Sequence, residues 1–136
     1  MESEASLKNQ RGISTIEAAI TLPVAILVML GILQVGVVVY AGQMAKEAAR
    51  HGARTGSVAQ DYAAGRAHAA ASTFAQSAFP IGEPEVEILA PGGVVGSQLR
   101  VRVTYQVPNW LAGMPGLPAR SGWPAVGEAT ARQEGW

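Results

Sequence analysis

The stretch Gly12-Ile-Ser-Thr-Ile-Glu17-Ala-Ala-Ile-Thr-Leu-Pro23-Val-Ala-Ile-Leu-Val-Met-Leu-Gly31-Ile-Leu-Gln34-Val-Gly36-Val-Val-Val-Tyr40 decides the architecture. No charged residue occurs between Glu17 and Lys46. At 1.5 Å per residue a helix over this run exceeds a hydrocarbon core of roughly 30 Å. In the apolar run from Ala18 to Tyr40, only Thr21 and Gln34 stand out as polar among Leu, Ile, Val, Met, Ala and Gly. A helix apolar on every side is either the core helix of a large domain or a membrane span. A chain of 136 residues has no large domain to bury it, so the stretch reads as a transmembrane helix.

Beyond Tyr40 about ninety-six residues remain, enough for one small domain and not two. Ten basic and ten acidic residues balance to zero net charge, and the bases are scattered. Nucleic acid is therefore not an expected partner, because the electrostatic footprint for it is missing. The chain has no cysteine, which excludes disulfides and thiolate metal sites. Its outer domain must hold together by packing.

Residues 1–11 are polar and place Lys8 and Arg11 just ahead of the apolar run. The run is too long for a cleavable secretory signal, and no small-residue cleavage site follows at Tyr40. An uncleaved signal anchor is the plain alternative. Glu17 is the informative residue, since a carboxylate at the lip of an apolar helix is costly in lipid and points to function. Ser14-Thr-Ile-Glu17 also fits the S-x-x-E capping box, with a helix starting at Ser14. Both readings are compatible with the helix dipole, which favours a carboxylate in the first turn.

Gly12 with a glutamate five residues on, behind a short basic leader and ahead of an apolar helix, resembles the prepilin-type leader. Arg11-Gly12 with Ile16-Glu17-Ala18-Ala19, Thr21-Leu22-Pro23, Gly31-Ile32 before Gly36, and Ala48-Ala49-Arg50-His51-Gly52-Ala53-Arg54 extend the likeness. So, faintly, does Ala129-Thr-Ala-Arg132-Gln-Glu134. Together these resemble the TadE-like minor pilins, or pseudopilins, of tight-adherence (type IVb, Flp-type) pilus systems, closely over residues 11–55. Ala18 departs from the family, which often has an aromatic residue after the glutamate.

The resemblance implies cleavage by a prepilin peptidase between Gly12 and Ile13. Glycine at that point lets backbone lie extended in a protease cleft. It also implies that Glu17, at mature position five, meets the free amino terminus of a neighbouring subunit. A buried ammonium and carboxylate must pair, because a lone charge there costs several kcal/mol. The implied location is the bacterial inner membrane, with a cytoplasmic N-terminus, an extracytoplasmic C-terminal domain and incorporation in a pilus. Charge does not set this orientation: Lys8 and Arg11 precede the span, while Lys46, Arg50 and Arg54 follow it.

Within the span Pro23 removes a hydrogen bond and should kink the helix. Gly31 and Gly36 permit close approach of a partner, but their spacing is not GxxxG. Tyr40 stands where an interfacial aromatic belongs. The helix should continue through Met44-Ala-Lys-Glu-Ala-Ala-Arg50, with apolar positions 41, 44, 45, 48 and 49 on one stripe, and end near residue 56. A second, alanine-rich helix is expected from Asp61 to Phe79, burying Ala63, Ala67, Ala70, Phe74 and Phe79.

The period then changes to two. Glu85-Val-Glu-Ile-Leu and Arg100-Val-Arg-Val-Thr-Tyr-Gln-Val107 alternate around Pro91-Gly-Gly and Gly96-Ser. Pairing Val86 with Val101 and Ile88 with Leu99 sets Glu85 opposite Arg102 and Glu87 opposite Arg100. Residues 108–126, with Pro108, Pro115, Pro118 and Pro124, read as a loop. Its Trp110 and Trp123 either touch membrane or a partner subunit, or lid a small core. Val126 to Gln133 reads as a third strand.

His51 and His68 lie on different expected helices, and no metal-ligand cluster, phosphate-cradling loop or nucleophile–base spacing occurs. Catalytic residues, metal, cofactor and small-molecule substrate are not expected. The reading is an α+β protein: leader 1–12, transmembrane and assembly helix 13–56, and a small extracytoplasmic α+β domain 57–136 with a C-terminal antiparallel sheet. Its expected function is structural, as a processed minor pilin used in assembly, priming or the tip of a tight-adherence pilus. The expected partners are prepilin peptidase, other pilins, the pilus assembly platform and membrane lipid. An uncleaved single-span protein with a partner-binding outer domain is the alternative. A membrane-tethered enzyme would need a polar cleft.

Overall fold

In a computed structural model the backbone is described for residues 2–114, 116 and 121–134, with side chains from Thr15 onward. The described residues form helices α1 (Glu2–Ser57) and α2 (Ala63–Ala78). Strands β1 (Pro84–Pro91), β2 (Gln98–Pro108) and β3 (Gly122–Arg132) follow. The fold is α+β, as the sequence indicates. Contacts divide the chain into two units, Met1–Gln34 and Val35–Trp136.

The first unit is the N-terminal part of α1. The helix starts at Glu2, not at Ser14, so Ser14 is not an N-cap and the capping-box reading does not hold. The reason is upstream composition: residues 2–11 include Glu, Ala, Leu, Lys, Gln and Arg, all good helix formers, with no Gly or Pro to stop propagation. Pro23 lies inside the helix. Its apolar side chains face outward, Ile16, Ile20, Leu22 and Met29 all being more than half exposed. Only 6% of the most apolar window is buried, which separates this helix from the core helix of a soluble domain.

The second unit is a two-layer sandwich. Residues 35–57 of α1 and all of α2 cover one face of an antiparallel sheet ordered β1-β2-β3. The α1 stripe is as expected, with Ala41, Ala45, Ala48 and Ala49 buried and Met44 packed against them. On α2 the buried row is Ala63, Ala67, Ala71 and Ala75. Ala70 and Phe74 are only partly buried, which corrects the expected face by one position. Glycines decide the choice. A Cβ at Gly52 would fall 2.6 Å from Ala71 Cβ and 2.7 Å from the Ala67 carbonyl oxygen. One at Gly56 would fall 2.7 Å from Ala67 Cβ. The helices thus meet backbone to backbone, which only Gly and Ala allow.

Central strand β2 supplies the heart of the core: Leu99, Val101, Val103, Tyr105 and Val107 are all buried. Tyr105 also donates its hydroxyl to the Ala75 carbonyl at 2.7 Å, tying sheet to α2. The Phe79 ring packs edge-on to Tyr105 at 5.1 Å and tilted against Tyr40 at 6.0 Å.

The β1–β2 register differs from expectation by two residues. Val86 pairs with Val103, Ile88 with Val101, Glu87 with Arg102 and Glu85 with Thr104. A two-residue slip keeps every side chain on its face, so alternation cannot distinguish the registers. A bulge between Ile88 and Ala90 then carries the pairing on to Pro91 opposite Leu99. Strand β3 starts at Gly122, earlier than expected, so Trp123 and Pro124 are strand residues opposite Val107 and Gln106. Pro124 is tolerated because β3 is an edge strand. The loop is correspondingly shorter, and Pro115 and Pro118 lie outside the described residues.

Candidate functional site

Glu17 is the side chain that the apolar helix has to explain. It is exposed on α1 between Ile16 and Ile20, which are 64% and 65% exposed. Among the described residues its carboxylate makes no ion pair. One turn on, Thr21 donates its hydroxyl to the Glu17 backbone carbonyl at 2.7 Å. That bond satisfies the hydroxyl locally in an apolar setting. The backbone of Gly12 and Ile13 is helical, continuous with Glu17. The carboxylate is thus flanked by the exposed apolar side chains of Ile16 and Ile20.

Elsewhere charges are arranged for solvent. Arg102 bridges both edge strands, donating from Nε to Glu128 at 2.7 Å and from Nη1 to Glu87 at 3.2 Å. The hydrogen bond to Glu128 is the main cause of its raised pKa. This cluster is the solvated sheet face expected from the alternation, with Glu87 and Glu128 rather than Glu85 as partners. The His51 ring lies 5.4 Å from Phe74 near the end of α1, and His68 stands on α2. Among the described residues no three of His, Asp and Glu converge as a metal site would require. A shallow cleft lined by Gln76, Phe79, Pro80, Gly82, Glu83 and Pro84 contains a single titratable side chain, Glu83.

Sequence reasoning missed the closure at the C-terminal end. Gln133 is buried, exchanges backbone hydrogen bonds with Gly96 and Ser97, and donates from Nε2 to the Ala59 carbonyl at 2.8 Å. The Glu134 backbone N–H donates to the Ser57 carbonyl at 3.0 Å. The chain end thereby fastens β3 to the end of α1. Only the conspicuous polar Gln133 behind an alternating strand could have signalled it.

No curated protein and no solved structure matches the chain. The family match covers the helix that carries Gly12, Ile13 and Glu17 and stops before α2. Residues 12–54 match the family model described as TadE-like protein, consistent with a TadE-like pilin of tight-adherence systems.

Proposed function

We propose that the chain is a structural minor pilin, or pseudopilin, cut by a prepilin peptidase between Gly12 and Ile13. It is held in the bacterial inner membrane by α1, with its N-terminus cytoplasmic and its C-terminal domain extracytoplasmic. It then serves in assembly, priming or the tip of a tight-adherence pilus. The observation that carries this reading is the TadE-like match beginning at Gly12 and running over an outward-facing apolar helix. In this reading Glu17 pairs with the new amino terminus at Ile13 of a neighbouring subunit, fixing the register between helices. Its partners are the peptidase, other pilins, the assembly platform and lipid.

The unbroken helix through Gly12 and Ile13 favours the second reading, an uncleaved single-span protein. Proteases take extended backbone, so cleavage requires this turn to unwind. Glycine makes that easier by about 1 kcal/mol relative to alanine. The test is Glu17→Ala in the native host. The pilin reading expects normal membrane insertion and normal removal of the leader, with loss from purified pili. A variant that enters pili as well as the wild type would remove the pairing role.

A further inference from the structure

Among the described residues, one end of the second unit combines exposed aromatic side chains with few charged ones. Strand β3 runs alongside α1 in the same direction: Gly127 abuts the Ala45–Lys46 backbone, and Glu134 bonds to Ser57. Trp123 therefore lies toward Tyr40 and Val35, not toward Ser57. Helix α2 runs the opposite way, from Ala67 beside Gly52 and Gly56 to Phe79 beside Tyr40. Its continuation sits at the same end, because a Cβ at Gly82 would fall 2.6 Å from the Gln106 carbonyl oxygen. The loop after β2 closes there too, with the Asn109 N–H donating to the Ser121 carbonyl at 3.4 Å.

Tyr40 and Trp110 are each 51% exposed here, Ile81 40% and Trp123 36%. Residues 35–45, 74–82, 105–114 and 121–127, which meet at this end, contain no Asp, Glu, Lys or Arg, and exposed Glu83 at the foot of β1 is a carboxylate beside them. Arg120 belongs to the loop portion outside the described residues. The opposite end also exposes apolar side chains, Val94 and Val95 at the β1–β2 turn. It differs in carrying Arg54, Asp61, Arg66, Arg132 and Glu134. The second unit begins at Val35, five residues before Tyr40.

We infer that this end, through Tyr40, Ile81, Trp110 and Trp123, is a bilayer-interface surface that seats the outer domain on lipid. The inference rests on α1 crossing a bilayer. Tryptophan and tyrosine favour the headgroup level, where a ring can be apolar at one edge and hydrogen-bonded at the other. Aspartate, glutamate, lysine and arginine would resist that depth. The hydrophobic end of the unit is thereby covered by the membrane that anchors it.

The test uses the full chain reconstituted in phosphatidylcholine vesicles whose acyl chains are brominated either near the headgroup or near the chain end. Chains with Trp110 or Trp123 as sole tryptophan carry phenylalanine at the other two tryptophan positions. A W136F chain keeps both native residues, should either single-tryptophan chain fail to fold. Two reporters are placed in the tryptophan-free background, Leu27→Trp within the span and Val94→Trp at the far end. The expected result is loss of Trp110 and Trp123 emission, greater with shallow than with deep bromines. Leu27→Trp should be quenched most by deep bromines, and Val94→Trp should keep its emission. Trp110 and Trp123 unquenched while Leu27→Trp is quenched would overturn the interface surface and leave the span standing. Leu27→Trp unquenched would overturn both. Val94→Trp quenched as strongly as Trp110 would also overturn it, since the domain would then lie on its side.

Discussion

Gly127 brings β3 against the α1 backbone, and filling it should unseat β3. A Cβ built there meets the Lys46 and Ala45 backbone, with Lys46 Cα at 2.5 Å. Ordinary carbon contacts lie at about 3.5–4.0 Å, so strand and helix must separate by roughly 1 Å. Overpacking costs typically about 1–3 kcal/mol. The atoms met belong to helix backbone, which cannot rotate aside, so we expect Gly127→Ala to fall at the upper end, about 3 kcal/mol. For a domain of this size that lowers Tm by roughly 12–24 °C. Gly42→Ala is the control: a Cβ there meets nothing within 4 Å, in the interior of the same helix. It should stabilise by about 0.5–1 kcal/mol. Thermal unfolding of the detergent-solubilised chain, followed by near-ultraviolet circular dichroism, reads both. Gly127→Ala melting together with the wild type would refute the proposed packing of β3 on α1.

Gly52→Leu should separate α1 from α2, where Ala71 Cβ and the Ala67 carbonyl leave no space; it should lower the same melting temperature, and an unchanged value would contradict the helix contact. Tyr105→Phe removes the bond to the Ala75 carbonyl, which keeps the Phe79 N–H as a donor; urea unfolding should show a loss of about 1 kcal/mol. Burial raises the Tyr105 pKa, so the folded state holds its phenol proton at pH values where the unfolded state has lost it. The stability from that neutral phenol is fully present below about pH 10 and is lost as pH rises further. Tyr105→Phe should flatten the fall, and an equally steep fall in the variant would assign it to other groups. Arg102→Met should cost less than Tyr105→Phe, because its carboxylate partners are exposed, and salt should narrow the difference from wild type.

The long helix was legible because its apolar residues run past any helical face and Lys46 is the first charge beyond it. The stripe through residues 41, 44, 45, 48 and 49 was legible too, since polar Gln43, Lys46 and Glu47 separate its members. The α2 face was harder. Alanine at 63, 64, 67, 69, 70, 71, 75 and 78 makes several faces equally apolar, and the contact with Gly52 and Gly56 chooses among them. Strand register is degenerate under a two-residue slip, and nothing local in Ile88-Leu89-Ala90 announces the bulge. Trp123 and Pro124 read as loop because proline normally breaks a ladder; the edge position of β3 lifts that restriction. Gly12 and Ile13 as a processing site rest on resemblance, because a cleavage point leaves no periodicity in one chain, whereas Glu17 stands out in the sequence itself as a carboxylate at the lip of an apolar helix. The structure places Glu17 on an exposed apolar stretch of α1.

The most direct measurement for the central claim is N-terminal sequencing with intact mass on protein recovered from membranes of its own host. The account predicts a mature chain beginning at Ile13, lost when Gly12 is replaced by a bulky residue. A chain that retains residues 1–12 would contradict it and leave the uncleaved single-span protein as the reading.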